Sequence, residues 1–213
     1  MTEPPPARGR IDDVLVALLL GGRSTPDELV RRTLLEAGDV RDCLERARRA
    51  GDATSFPDAR AGERFGSTSS GRERATATLR EDRDRLGRDV EEAYRLFEAA
   101  NSAFKAALLR WQMRSVGGGR EANDHLDPRY DARILGEIAR SVRAADDALA
   151  PLAERCRRHA AYRERLRVAL EQAGRGEVRF VAGLDVDSLH AIWWELHADL
   201  LAVLGRTRTA SDA

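Results

Sequence analysis

The sequence predicts a mostly α-helical protein with one short β-hairpin near its N-terminal end. Three observations lead there. Apolar residues recur at steps of three and four through most of the 213-residue chain. Helix-start signatures such as Thr25-Pro26-Asp27-Glu28 and Asp127-Pro128 precede several of these runs. Two short β-compatible stretches, Ala53 to Phe56 and Glu63 to Ser67, flank a Pro- and Gly-containing loop.

In chain order, Met1 to Arg10 is Pro-rich and polar and reads as a disordered arm. Ile11 to Leu20 is a compact apolar helix stopped by Gly21-Gly22, too short to span a membrane. Ser24 to Gly51 reads as two short helices joined by a turn. Thr25 caps the first, with Pro26 at its first position and Glu28 completing a capping box. Leu29, Val30, Thr33 and Leu34 form its apolar stripe. Glu36 to Asp39 breaks the pattern, and Asp39 is the expected cap of a second helix with Val40, Cys43, Leu44 and Ala47 inward. A plain helical hairpin would read the same way. The hairpin follows, and Thr68 to Glu73 opens another helix. Helix, helix, helix, hairpin, helix is the order of a winged helix-turn-helix domain.

Over Ile11 to Leu79 the chain resembles the MarR-like winged-helix transcriptional regulators. Phe65-Gly66-Ser67-Thr68-Ser69-Ser70-Gly71-Arg72 is similar to that family's exit from the wing, an apolar residue followed by Leu-Thr-x-x-Gly-Arg, with Ser67 where Leu is usual. The remainder resembles the helical C-terminal part of actinobacterial proteins of that group, through Trp111 to Arg114, Asn123 to Asp131 and Trp194 to Leu201. The resemblance implies a homodimer bound to double-stranded DNA. The domains expected are an arm (1–10), a winged helix-turn-helix (11–78), a helical dimerisation and effector region (79–205) and a flexible tail (206–213).

Charge bears on that expectation. The chain has 36 basic and 36 acidic residues, and residues 1–90 hold 17 of each, so the N-terminal half is not basic overall. Because phosphate neutralisation supplies most non-specific affinity, this balance predicts modest, salt-sensitive binding. The outward face of the second short helix offers Arg41, Asp42, Glu45, Arg48 and Arg49 for base edges, or for ion pairs spaced i,i+4 along the surface. Arg60 and Arg64 flank the hairpin tip. Cys43 and Cys156 sit among apolar neighbours without CxxC spacing, which fits a reducing cytoplasm and no disulfide. No signal or membrane-spanning run is apparent.

From Leu79 to about Arg114 the pattern reads as one long helix, with Gly87 its weak point. At roughly 35 residues it would span on the order of 50 Å, so further helices or a second subunit must cover it. Ser115 to Gly119 ends it. Asn123 to Asp131 is a polar cluster readable as helix capping or, through His125 and Asp124, as a ligand-contacting or metal-ligating pair. Two helices are expected at about Asp131 to His159 and Ala161 to Ala173, then a loop or short strand. A last helix runs from Val186 to Leu204, capped by Asp185 or Asp187. On its wheel His190, Trp193, Trp194, His197, Leu201 and Leu204 share one face, with Glu195 and Asp199 pointing away. Trp111, His125, His190, Trp193, Trp194 and His197 are therefore the candidate effector-pocket residues. A packed core or dimer seam uses the same residues.

No nucleophile elbow or phosphate loop is present, so the reading is not an enzyme and requires no cofactor or metal. Two alternatives remain open: a winged helix that docks on protein, and a small-molecule-binding helical protein with a degenerate DNA head.

Overall fold

The computed structural model describes residues 9–60, 62–116 and 118–207. Most of the arm, including Arg8, and the last six residues of the tail lie outside the described residues. The protein is mostly helical, with two small two-stranded antiparallel sheets. It divides into two compact units, residues 1–87 with 198–213, and residues 88–197.

In the first unit, α1 (Arg10–Gly21) is the central helix. Val14, Leu15 and Val16 are fully buried, and Gly22 at φ 69° stops it. The helix α2 (Pro26–Thr33) starts at the expected capping box. Glu28 N–H donates to Thr25 Oγ1 at 3.2 Å, and Thr25 N–H donates to Glu28 Oε2 at 2.8 Å. It ends at Leu34, which adopts the left-handed conformation at φ 53°. The helix α3 (Ala37–Arg49) begins before Asp39, so Asp39 is not its cap. Asp39 instead lies in the first turn, where the helix dipole favours a carboxylate, and ion-pairs with Arg10. Val40, Cys43, Leu44 and Ala47 face inward as expected.

Strands β1 (Ala53–Asp58) and β2 (Gly62–Ser67) pair with Phe56 opposite Arg64. Ser24 adds an isolated bridge to β2, exchanging backbone hydrogen bonds with Phe65 at 2.9 and 2.8 Å. The helix α4 (Ser69–Leu86) is capped by Thr68, whose Oγ1 accepts from Gly71 N–H at 3.2 Å. A side chain at Gly71 is sterically excluded: a Cβ would stand 1.9 Å from the carbonyl oxygen of Asp52. That oxygen also accepts from Thr68 N–H, while the buried Asp52 carboxylate takes Ser70 Oγ at 2.6 Å and Arg74 Nη1 at 3.1 Å. Arg74 continues to Asp12 of α1 at 2.7 Å. Burial opposes the Arg74 charge, but the hydrogen bonds to Asp12 and Asp52 outweigh it and raise the pKa of this guanidinium.

The long helix expected from Leu79 to Arg114 is two helices. Gly87 at φ 57° ends α4 with its N–H on Arg83 O, and α5 (Arg88–Gln112) starts afresh. Glycine adopts this conformation without the steric cost of a Cβ, so the periodicity continues across a break.

The second unit opens with α5, which buries Phe97, Phe104 and Trp111. In the sequence, Ser115 to Gly119 only marked the end of the long helix, and no strand was expected there. The chain forms a second hairpin there, β3 (Met113–Val116) and β4 (Gly119–Ala122), paired from Met113 opposite Ala122 to Val116 opposite Gly119; Gly117 lies outside the described residues. The helix α6 (Pro128–Ala153) starts at the expected Asp127 cap and buries Ile134, Ile138, Val142, Ala145, Leu149 and Leu152. It ends earlier than expected, and α7 (Arg157–Gly174) begins at Cys156. A helical turn, α8 (Arg179–Ala182), stands where a loop or strand was expected.

The last helix, α9 (Leu189–Val203), is shorter than expected. Ser188 Oγ, rather than Asp185 or Asp187, accepts from its first turn at Ala191 N–H. The expected orientation of its polar residues is reversed: Glu195 and Asp199 are buried, whereas Trp194 is 52% exposed. Arg165 of α7 explains Glu195. It donates to Glu195 at 2.9 and 3.0 Å and to Asp187 at 2.7 and 2.8 Å, a four-bond clamp in the interior. Burial works against the Arg165 charge, yet the two carboxylates outweigh it and push its pKa upward.

Two stability predictions follow from these contacts. Gly71→Ala must displace α4 from Asp52, and overpacking of this kind costs about 1–3 kcal/mol in urea unfolding. Arg165→Met leaves the buried Glu195 and the partly buried Asp187 without their cation, and breaking a buried pair costs about 3–5 kcal/mol. Adding Glu195→Gln to Arg165→Met should recover part of that loss, whereas strictly additive effects would show that the clamp contributes nothing as a unit.

Candidate functional site

On α3 the buried stripe leaves Arg41, Asp42, Glu45, Arg46, Arg48 and Arg49 exposed. Arg48 is neutralised by Glu45 at 3.0 Å, three residues away rather than the i,i+4 spacing anticipated for Arg41, Glu45 and Arg49. The guanidinium groups of Arg41, Arg46 and Arg49 have no hydrogen-bond or ion-pair partner among the described residues. Arg46 escaped the sequence reading, although its place in the last turn beside Arg48 and Arg49 was a usable signal. Cys43, on the inner face, is a buried thiol whose pKa is raised by burial; Cys156 is likewise buried, and neither forms a disulfide. Both are buried, unlike the exposed thiolate of a reactive cysteine.

The two arginines at the hairpin tip have different fates. Arg60 is exposed, and its backbone N–H donates to Asp58 Oδ1 at 2.9 Å; its guanidinium has no partner among the described residues. Arg64 is a strut. Its guanidinium donates to Asp58 at 3.0 Å, to Glu28 at 3.1 Å and to the carbonyl of Arg23 at 3.0 Å. It thus ties β2 to the start of α2, using the same glutamate that closes the capping box.

The six candidate effector residues fall into separate groups. Trp111 and His125 meet, with ring centroids 4.8 Å apart. Asn123 joins them, donating to Trp111 O at 2.9 Å and to Asp131 Oδ1 at 2.9 Å, while His125 Nδ1 lies 3.0 Å from Asp131 Oδ2. His125 therefore pairs with Asp131 and not with Asp124, which accepts from Leu126 N–H. His125 also has φ 59°, a left-handed conformation uncommon outside glycine. The Asp131 carboxylate and the Asn123 amide, 3.2 Å from Nδ1, both fix the imidazole through that nitrogen.

Trp193 belongs to the core. Its ring stacks on Phe104 at 3.9 Å, contacts Phe97 at 4.7 Å, and its Nε1–H donates to Asn101 at 2.9 Å. His197 lies beside Phe97 at 5.4 Å and places Nε2 3.1 Å from Glu98. His190 is half-buried, with its pKa lowered by that burial. A depression of about 410 Å³ between α6 and α7, floored by Val142, Leu166 and Leu170, includes none of the six. Among the described residues no three His, Cys, Asp or Glu side chains are grouped to hold a metal ion, and no helix is long and apolar enough to cross a membrane.

No family model, curated protein or solved structure matches this chain.

The Asp127 cap gives a pH prediction. The backbone hydrogen bond from Tyr130 chiefly holds its carboxyl below the ordinary 3.8, with Arg114 assisting. A depressed carboxylate pKa stabilises the fold above the unfolded value, and that contribution disappears as pH falls through the folded value. Asp127→Asn keeps a neutral cap, so its unfolding free energy should change less than wild type between pH 5 and pH 3. Parallel curves for the two proteins would contradict the assignment.

Proposed function

We propose that this chain is a DNA-binding transcriptional regulator of the winged helix-turn-helix kind, related to the MarR-like group and acting as a homodimer. In this reading α3 lies in the major groove and the β1–β2 hairpin meets the backbone. The observation that carries the reading is the capped helix α2 followed by α3, whose exposed face carries Arg41, Arg46 and Arg49 without partners among the described residues. The bridge from Ser24 to β2 gives further support, because it adds a third backbone segment to the edge of the hairpin. Arginine suits base edges since its fork matches guanine O6 and N7, whereas Arg60 at the tip suits phosphate.

The effector part of the reading narrows to Trp111 and His125. Trp193 and His197 are occupied in packing, while His125 combines a fixed ring with left-handed backbone. Departures of that kind concentrate at functional sites. A ligand bound there would act by preferring one dimer arrangement over another.

A second reading is favoured by one observation: Asp42 and Glu45 are exposed on the same α3 face, and Glu45 already neutralises Arg48. A mixed face of this kind also suits a protein partner.

Binding to duplex DNA from upstream of the protein's own gene, against a scrambled duplex at several salt concentrations, tests the proposal. Specific binding that weakens steeply with salt is expected. Arg41→Ala and Arg49→Ala should each cost about 1–3 kcal/mol of discrimination without changing the dimer. Equal, feeble binding to both duplexes would sink the DNA-reader and favour the docking module.

A further inference from the structure

Arg23, in the loop between α1 and α2, has unusual surroundings. Its guanidinium carbon stands 3.6 Å from the centroid of the Phe56 ring. The ring in turn lies against Gly66, where a Cβ would come within 3.2 Å of Phe56 and 3.5 Å of Arg23 Cγ. Arg23 is thus held at both ends. Its carbonyl accepts from Arg64, the next residue exchanges two backbone bonds with Phe65, and its head rests on an aromatic platform.

The charge is held but not neutralised. Arg23 is exposed and has no carboxylate partner among the described residues. Glu28 and Asp58, the acids on this part of the unit, are both occupied by Arg64. Stacking engages the face of a guanidinium and leaves its N–H donors free around the edge, a geometry that matches a phosphate. A side chain ordered before binding also loses less entropy when it binds.

We propose that Arg23, on its Phe56 platform, is a phosphate-binding post for the DNA backbone. This rests on the DNA-binding reading and adds to it a contact outside both α3 and the hairpin tip. Such a contact carries no sequence information; it fixes the height of the domain on the duplex.

The test measures affinity of the full chain for a fluorescent duplex across a salt series, with the upstream and scrambled sequences in parallel. Arg23→Gln should make the plot of log K against log salt shallower by about 0.9 per site, equally for both sequences. Arg80→Gln, the same charge loss at an exposed α4 residue with no partner among the described residues, should leave the slope unchanged. Phe56→Leu keeps the charge but removes the ring, and should weaken binding at every salt concentration. It also carries the test should Arg23→Gln not fold, and wild-type affinity in Phe56→Leu would then overturn the proposal. Wild-type binding with an unaltered slope in Arg23→Gln overturns the proposal and leaves the DNA reading standing. An equal shift in Arg80→Gln also overturns it, because the effect is then one of net charge. Failure of the wild-type chain to bind either duplex overturns both.

Discussion

The first unit depends on one buried carboxylate. Asp52 follows the turn out of α3, and its backbone N–H donates to Ala47 O at 2.8 Å while its carbonyl receives Thr68 N–H. Its side chain holds Ser70 and Arg74, and Arg74 reaches back to Asp12. One residue therefore connects the end of α3, the start of α4 and the flank of α1. A buried ion pair of this kind need not add much net stability, since desolvation offsets the attraction. Its consequence is positional: every polar atom of Asp52 is satisfied only when the three helices occupy one arrangement. Gly71 is the steric counterpart, because the close approach that makes these bonds leaves no room for a Cβ.

That arrangement changes how the charge of this unit should be weighed. Equal numbers of basic and acidic residues suggested a poor DNA binder, but the two sets are used differently. Arg10, Arg48, Arg64, Arg74 and Arg85 are joined to acids and serve structure. Among the described residues Arg23, Arg41, Arg46, Arg49 and Arg60 are not, and these five are exposed. Coulomb attraction to a polyanion depends on where unneutralised cations stand rather than on the sum over the chain.

Features set within a few residues were legible in the sequence. The Thr25–Glu28 box and the Asp127 cap both occur as expected, because a cap needs only its own first turn. The inward stripe of α3 was legible for the same reason. What failed depended on distant partners. A glycine break leaves the periodicity of α4 and α5 intact, so it could not be seen by pattern. The β3–β4 hairpin has almost no apolar alternation and is held to its neighbours through Asn123, a contact made twelve residues away on Trp111. Glu195 looked like a solvent residue until Arg165, thirty positions earlier, supplied its counter-charge. In the candidate interface the exposed face of α3 was legible, whereas the fate of Arg64 and the platform under Arg23 were not, since both are decided across the sheet.

The same distinction bears on regulation. The wheel of α9 grouped its tryptophans and histidines as one surface, but Trp193 and His197 are already packed against Phe97, Trp193 also against Phe104, and the Trp193 N–H is bonded to Asn101. A ligand entering there would have to displace aromatic packing that no new contact obviously replaces. At Trp111 and His125 the balance differs. The histidine is only partly covered, its backbone is in an unfavourable region, and its ring is oriented by Asp131, Asn123 and the ring of Trp111. Little packing is lost if that corner rearranges, and relief of the backbone strain would favour the change. A switch needs two arrangements of similar free energy, and in the proposed regulator this corner would rearrange at a lower packing cost than the Trp193 stack.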